Sequence, residues 1–499
     1  MSSILLFFVR LIEGIADRYT AYYISPRRRF HRRHFFALSL LSLLVAGGVA
    51  VVPTLEVQSA FQQKQPKPLP RHIAEFRAGL PPAGAIREDK LYFFCNTRTS
   101  PRTIAREFND YSLIFGQKNI AARMEAENPE AFHKGVCKPG TRISIPEPLL
   151  EPLQNRPLGW DPRKPVKAIY LRGDNSVPGR IQRELKKMKA SGTNAVVFDV
   201  KDILGVVNYT SSVAEVEQYR AHRAAIKNLP KMIHYFHSHG IYVIARMALF
   251  QDMNMARKRK DLAIRDGGAP GGILLWKGRP LWVDPGKDEI QKYNLKIVHE
   301  LVRLGVDEIQ FDYVRYPAEG DLSKVSYYKV KSHVDKTRNL ERFLMAADML
   351  RLGSAVRLSI DIFGVVAWGE ELDIRQTGQR IEKMAPYVDV ISPMLYPSHF
   401  NAGFDGFKKP ADEGFYFYDV GSRKVLEKAA GHDVVVRPWL QAFKWRVSNY
   451  NQHYIREQVR GTYAGGGLGW LMWNAGNQYD MVYDAVRGMK DPVPEPVLQ

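Results

Sequence analysis

The chain has 499 residues, 45% of them hydrophobic and 25% charged, with 72 Lys+Arg against 52 Asp+Glu and a formal net charge of +20. That length predicts two or three units, at least one with a large core, and the composition excludes an intrinsically disordered chain. The basic surplus invites a nucleic-acid partner, but the sequence holds no recognisable nucleic-acid-binding motif and none is expected.

Much of the positive charge sits near the N-terminus. "SPRRRFHRRH" (Ser25–His34) carries five arginines in ten residues and directly precedes "FFALSLLSLLVAGGVAVV", 18 residues without a charge. At about 1.5 Å per residue the latter reaches about 27 Å, close to the hydrocarbon thickness of a bilayer. Residues 1–34 are therefore expected to be a cytoplasmic basic segment, with an amphipathic stretch lying on the membrane. Residues 35–52 are expected to be a single-pass signal anchor that leaves the rest exported, periplasmic or extracellular. The alternative is a cleaved signal peptide, which would need an n-region of more than thirty residues and lacks an A-x-A site. Cys95 and Cys137 both follow the anchor, so a disulfide between them is expected, two unpaired buried thiols being the alternative.

Residues 53–89 are rich in Pro and polar side chains and read as a linker. Residues 90–150 then read as a small α+β unit: "LYFF" a strand, "SPRTIAREFN" a helix capped by Ser100 with Pro101 in its first turn, "NIAARMEAENP" a second helix, and "CKPGTRISIPEP" a turn and strand. This order resembles a LysM module, a small fold that binds N-acetylglucosamine-containing glycans; the resemblance implies a glycan contact, against a structural spacer.

Over 160–490 strands alternate with long helices. Candidate strands are 166–173, 195–202, 242–250, 308–317, 357–364, 388–397, 434–443 and 467–476, with Gly192 and Gly305 at helix C-caps. Eight strand–helix repeats predict a (β/α)₈ TIM barrel. A doubly wound open sheet is the rival, but "LRGDNSVPGR" is not a convincing phosphate loop.

In such a barrel the site lies at the C-terminal strand ends, and side chains alternate between interior and helix layer. Parity pairs Gln310 with Asp312, Ser359 with Asp361, Asp199 with Lys201, Ser392 with Met394 and Tyr396, and Arg437 with Trp439 and Gln441. Buried charges are costly unless paired, so packing alone does not explain this ring. Aromatic faces beside carboxylates and amides suit a sugar, with C–H faces and hydroxyl edges. The expected substrate-binding residues are Asp199, Lys201, Asp202, Arg246, Arg315, Tyr316, Tyr396, His399, Trp439, Gln441, Trp473 and Asn474. Asp312 and Asp361 end neighbouring strands about 4.8 Å apart. Paired carboxylates at roughly 5–9.5 Å are the machinery of glycoside hydrolysis. Asp312 is assigned as nucleophile or base and Asp361 as general acid; the roles are exchangeable, and Asp199 or Asp202 can replace either. No metal or other cofactor is expected: H-E-x-x-H is missing, and the H-x-H of His237 and His239 falls before strand 3, at the opposite end of the barrel.

The segments "FDVKD", "HGIYVIARM", "LWVDPGKDEI", "DEIQFDYVRYP", "LSIDIFG", "VDVISPMLYPSHF", "RPWLQAF" and "GWLMWNAGN" resemble a bacterial family of glycoside hydrolase-like domains of unknown function, over roughly Val166 to Tyr483. The resemblance implies a TIM barrel distantly similar to the α-amylase and α-galactosidase groups, whose strand-4 aspartate is the nucleophile; this carries over to Asp312. In the amylase group the acid follows strand 5, matching Asp361, although it is Glu there. The α-galactosidase acid comes from strand 6, where "SPMLYPSH" offers no carboxylate. The expected function is hydrolysis of an envelope or extracellular polysaccharide by an anchored enzyme, the alternative being a non-catalytic glycan-binding or scaffold protein.

Overall fold

The computed structural model describes residues 69–491 apart from 160, 162, 163 and 270. The expected basic segment 1–34 and the expected anchor 35–52 lie outside the described residues. Among the described residues no helix is long and apolar enough to cross a membrane. From Glu75 to Asp491 the described residues form one compact unit that includes a small α+β portion and a barrel.

The small portion starts earlier than composition implied. Gly84–Arg87 pairs antiparallel with Lys90–Phe94, which pairs antiparallel with Arg142–Ser144. The supposed linker up to Asp89 thus supplies a strand and a tight turn, with Glu88 and Asp89 at φ 49° and 56°, as two-residue hairpin turns require. Helices Pro101–Glu107 and Gln117–Glu127 lie between the second and third strands. Ser100 Oγ accepts the Thr103 N–H at 3.2 Å, and Pro101 fills the first turn, where no N–H is needed. A disulfide joins Cys95 and Cys137 within a core of Leu91, Phe93, Ile104, Phe108 and Ile143.

The barrel strands are β1 Val166–Leu171, β2 Ala195–Lys201, β3 Tyr242–Ala248, β4 Glu308–Asp312, β5 Arg357–Phe363, β6 Val390–Met394, β7 Trp439–Gln441 and β8 Gly469–Trp473. Each pairs in parallel with the next, and β8 pairs with β1, so the cylinder closes. All eight expected strands are present. β7 alone is interrupted: Val435–Val436 pairs with β6, and Pro438, which has no N–H to give a ladder, separates it from Trp439. The main outer helices are α1 Pro178–Ser191, α2 Leu229–His237, α3 Asp288–Leu304, α4 His333–Leu350, α5 Ile381–Met384, α6 Gly414–Lys428, α7 Gln452–Ala464 and α8 Asp480–Val486. α1 and α3 end, as the sequence predicts, on Gly192 and Gly305, both left-handed. At Gly305 a Cβ would also stand 2.4 Å from the Asn155 carbonyl, so glycine is required twice over. The small portion rests on α2: Asn228 Nδ2 donates to Asp110 Oδ1 at 2.8 Å, the Lys231 ammonium donates to the Asn109 and Ile114 carbonyls, and Phe115 stacks on Tyr235.

Parity holds on β4 to β6 and fails on β2. Arg246 of β3 lies level with Asp199, but Met247 lies level with Lys201, so Val200 is an extra, bulged residue. The bulge turns Lys201 out of the interior into the helix layer. There its ammonium pairs with Asp252 at 2.9 Å, donates to the Ala248 carbonyl at 2.8 Å and faces the Tyr293 ring of α3. Lys201 is therefore a structural cation and not, as parity implied, a substrate contact. Deeper in the interior, Arg437, in the break before β7, and Glu308 of β4 form a fully buried pair at 2.9 Å, which Tyr242 joins at 3.2 Å. Lys201→Ala is expected to cost about 3–5 kcal/mol, because it strands the buried Asp252 carboxylate, against about 0.5 kcal/mol or less for a surface lysine. Urea unfolding of the full chain checks this.

Candidate active site

A cavity of about 1020 Å³ opens at the C-terminal ends of the strands, where a barrel of this kind places its chemistry. It is off-centre. Its wall comes from β3 to β8 and the segments that follow β4 to β7, and neither β1 nor β2 reaches it.

At its floor one guanidinium organises three carboxylates. Arg246 of β3 gives one N–H to Asp199 Oδ1 and another to Asp312 Oδ2, and its Nε lies 3.7 Å from Asp361 Oδ2. Asp199 also accepts the Tyr170 hydroxyl at 2.5 Å, and the Tyr170 ring faces the guanidinium. Asp361 accepts the Trp439 indole N–H at 2.7 Å, while its other oxygen has no hydrogen-bond partner. Burial alone would lower the Arg246 pKa; the charges of Asp199 and Asp312 more than reverse this, and it stays a cation. Three ionised carboxylates around one cation in a desolvated floor are unfavourable. Asp361 resolves the excess: burial first, then the Asp312 charge, pushes its pKa well above the ordinary value. Asp199 is raised by burial as well, opposed by Arg246.

Asp312 is the member that meets the cavity. It is 7% exposed and lines the wall, whereas Asp361 is 0% exposed and does not. The chain turns sharply after it: Tyr313 has φ 52°, the left-handed region that an aromatic residue rarely takes, and its N–H returns to Asp312 Oδ1 at 2.5 Å. A conformation costing about 1–3 kcal/mol persists only where surrounding structure imposes it, commonly at functional sites. Here the Tyr313 carbonyl accepts the Phe250 N–H at 3.4 Å and its ring meets Trp282 edge-on.

Of the other expected contacts, Arg246, Arg315, Tyr396, His399, Trp439 and Trp473 line the cavity. Arg315 is held by Glu319 at 2.6 Å and lies over the Phe363 ring. The rest do not line it. Asp199 is buried beneath Arg246. Asp202 spends its carboxylate on the Leu204 and Val206 N–H groups of a turn. Tyr316 is fully buried and accepts from Asn339 at 2.9 Å. Gln441 ties its amide to the Phe443 and Trp445 carbonyls, and Asn474 bonds Ala442 and the turn at Gly476. The last four are structural because each lies at or beyond a strand end, where the backbone stops alternating. The sequence reading also missed residues. Tyr170 shares parity with Val166 and Ala168 on β1 and was open to the same argument. Glu319, Glu370 and Asp373 stand on connecting segments, where parity has no meaning. Phe443 and the 55% exposed Trp445 complete an aromatic wall with Tyr396 and Trp473. Among the described residues no group of three or more His, Cys, Asp or Glu is placed to hold a metal ion.

A closed (β/α)₈ barrel with its cleft at the C-terminal mouth defines a class of enzyme scaffold that carries many chemistries. Residues 168–479, well over half the chain, match the family described as "Putative glycosyl hydrolase domain", and the chain belongs to that family. A search of curated proteins returns no match. Among solved structures, 66% of the chain aligns with 100% of the PgaB (BpsB) glycoside hydrolase domain from Bordetella bronchiseptica, at 14% identity and TM-score 0.49. The catalytic domain of a beta-amylase from Paenibacillus polymyxa aligns over 64% of this chain and 95% of its own, at 10% identity and TM-score 0.44. A hypothetical protein from Ruminiclostridium thermocellum ATCC 27405 aligns over 38% of this chain and 96% of its own, at 28% identity and TM-score 0.35. At these scores nothing of their chemistry passes to this chain.

The Asp361 shift has a definite sign. Its folded pKa stands above its unfolded one, so the stability it brings is fully present below about pH 4 and is lost as pH rises towards the folded value. Asp361→Asn, which carries no titratable proton, is expected to gain in melting temperature relative to wild type as pH rises from about 4 to 8. A pH-independent difference would mean that Asp361 is not the protonated member.

Proposed function

We infer that this protein hydrolyses glycosidic bonds of a cell-envelope or extracellular polysaccharide, using Asp312 at the anomeric carbon as nucleophile or as base for water. The observation that carries the reading is the position of Asp312. It is the only carboxylate of the Arg246 cluster that lines the cavity, it ends β4, and it faces an aromatic wall. Arg246 fixes its orientation, and the strained turn at Tyr313 holds its second oxygen to the backbone, so the carboxylate is set before a substrate arrives. Membership of a glycosyl hydrolase family supports the reaction class. Tyr396, Phe443, Trp445 and Trp473 offer faces on which pyranose rings stack, with His399 at the rim.

Export past a membrane anchor belongs to the same reading. It is supported by the uncharged 35–52 stretch behind an arginine cluster and by the Cys95–Cys137 disulfide, a bond kept in oxidising compartments. The LysM-like order of the small portion fits a second, non-catalytic glycan contact.

The test is turnover by the full-length protein in detergent against a panel of bacterial polysaccharides, with products resolved by mass. Asp312→Asn is expected to reduce turnover roughly a thousandfold or more while glycan binding persists. A wild type that binds glycan and cleaves none is a glycan-binding protein instead. Protease added to intact cells should digest the barrel if it is exported; protection until lysis would place it on the other side.

A further inference from the structure

The proton donor of the reaction remains to be placed. Asp361 is sealed: Trp439 covers one oxygen, Arg246 stands 3.7 Å from the other, and none of its surface is exposed. A glycosidic oxygen cannot come within hydrogen-bond reach of it unless Trp439 or Arg246 moves. General acid catalysis demands that reach, about 2.6–3.2 Å. Four carboxylates line the cavity: Asp312, Glu319, Glu370 and Asp373. Asp312 is tied to Arg246. Glu319 is tied to the Arg315 guanidinium at 2.6 Å and takes the Ala318 N–H at 3.1 Å; although burial favours its neutral form, these contacts keep it ionised. That leaves Glu370 and Asp373, both on the segment after β5, the neighbour of the strand that carries Asp312.

Resting on the hydrolase reading above, we propose that Asp373 is the general acid, with Glu370 beside it on the same segment, and that Asp361 is a positioning residue beneath the floor. Glu370 occupies the N-cap of the short helix Glu371–Thr377, and Asp373 is half-buried in its first turn. Burial, then the Glu370 charge, raises the Asp373 pKa.

In the step itself the Asp373 proton passes to the glycosidic oxygen as the bond from that oxygen to the anomeric carbon breaks and its electron pair stays on the oxygen. Asp312, or a water it deprotonates, supplies the new bond at the anomeric carbon. One water is consumed, its hydroxyl ending on that carbon and its proton restoring the carboxyl groups.

The test compares two substrates in the full-length protein: the polysaccharide cleaved by wild type, and a dinitrophenyl glycoside of the same sugar, whose leaving group departs without a proton. Asp373→Asn is expected to lose about 10²–10⁴-fold on the polysaccharide and less than about tenfold on the dinitrophenyl glycoside, and to lose the alkaline limb of its pH–rate profile. Glu370→Gln is expected to move that limb to lower pH, and Asp373→Glu to restore part of the rate. Asp361→Asn should depress both substrates alike. If Asp373→Asn keeps its polysaccharide rate, or falls equally on both substrates, the inference fails while an Asp312→Asn loss leaves the hydrolase reading standing. If Asp361→Asn alone shows the leaving-group dependence, the acid is Asp361. A wild type inactive on both substrates overturns the reading and the inference together.

Discussion

The site is built around the Arg246 guanidinium. A planar cation with donors in fixed directions is the group best suited to hold several carboxylates apart and in place, and here it addresses strands β2, β4 and β5 from β3. Everything at the floor follows from the resulting charge balance. Asp199 is satisfied by the cation and a tyrosine hydroxyl, Asp361 lies against the Trp439 indole with its pKa pushed up by burial and by the Asp312 charge, and Asp312 remains the one member turned towards the cleft. The same side chain thus decides which carboxylate is sealed and which is displayed. Without it, the neighbouring strands would bring together charges that the interior cannot hold.

The barrel was legible because its signals repeat. Buried parallel strands read as runs of Val, Ile and Phe, helix ends read as Gly192 and Gly305, and alternation placed Gln310, Asp312, Ser359 and Asp361 inside. The small portion was legible for similar local reasons, such as Ser100 before Pro101. What sequence did not show were departures from regularity. A single bulged residue, Val200, reversed the side of Lys201, and no composition marks a bulge within "FDVKD". Tyr316, Gln441 and Asn474 failed for a related reason, since past the last ladder bond direction is set by turns. The rim acids were invisible because a loop carboxylate looks like any solvated one until the fold brings it to a cavity.

Two kinds of wall meet in the cleft. β4, β5 and the segments after them contribute the carboxylates and Arg315, with Tyr313 and Phe363; β6 to β8 and the segments after β6 and β7 contribute most of the rings. This division separates tasks by chain segment. Only Asp312 among the lining carboxylates stands on a strand; the others stand on the connections that follow β4 and β5. Trp445, half in solvent, extends the ring wall outward from the floor.

The seating of the small α+β portion has an evolutionary corollary. Its contacts run through Asn228, Lys231 and Tyr235 on α2 and its cap, the helix that follows β2, one of the two strands that do not reach the cleft. The segments after β4 to β7, which wall the cleft, are therefore free to lengthen, shorten or exchange side chains without loosening that attachment. The mouth of the barrel can thus change shape while the small portion keeps its seat.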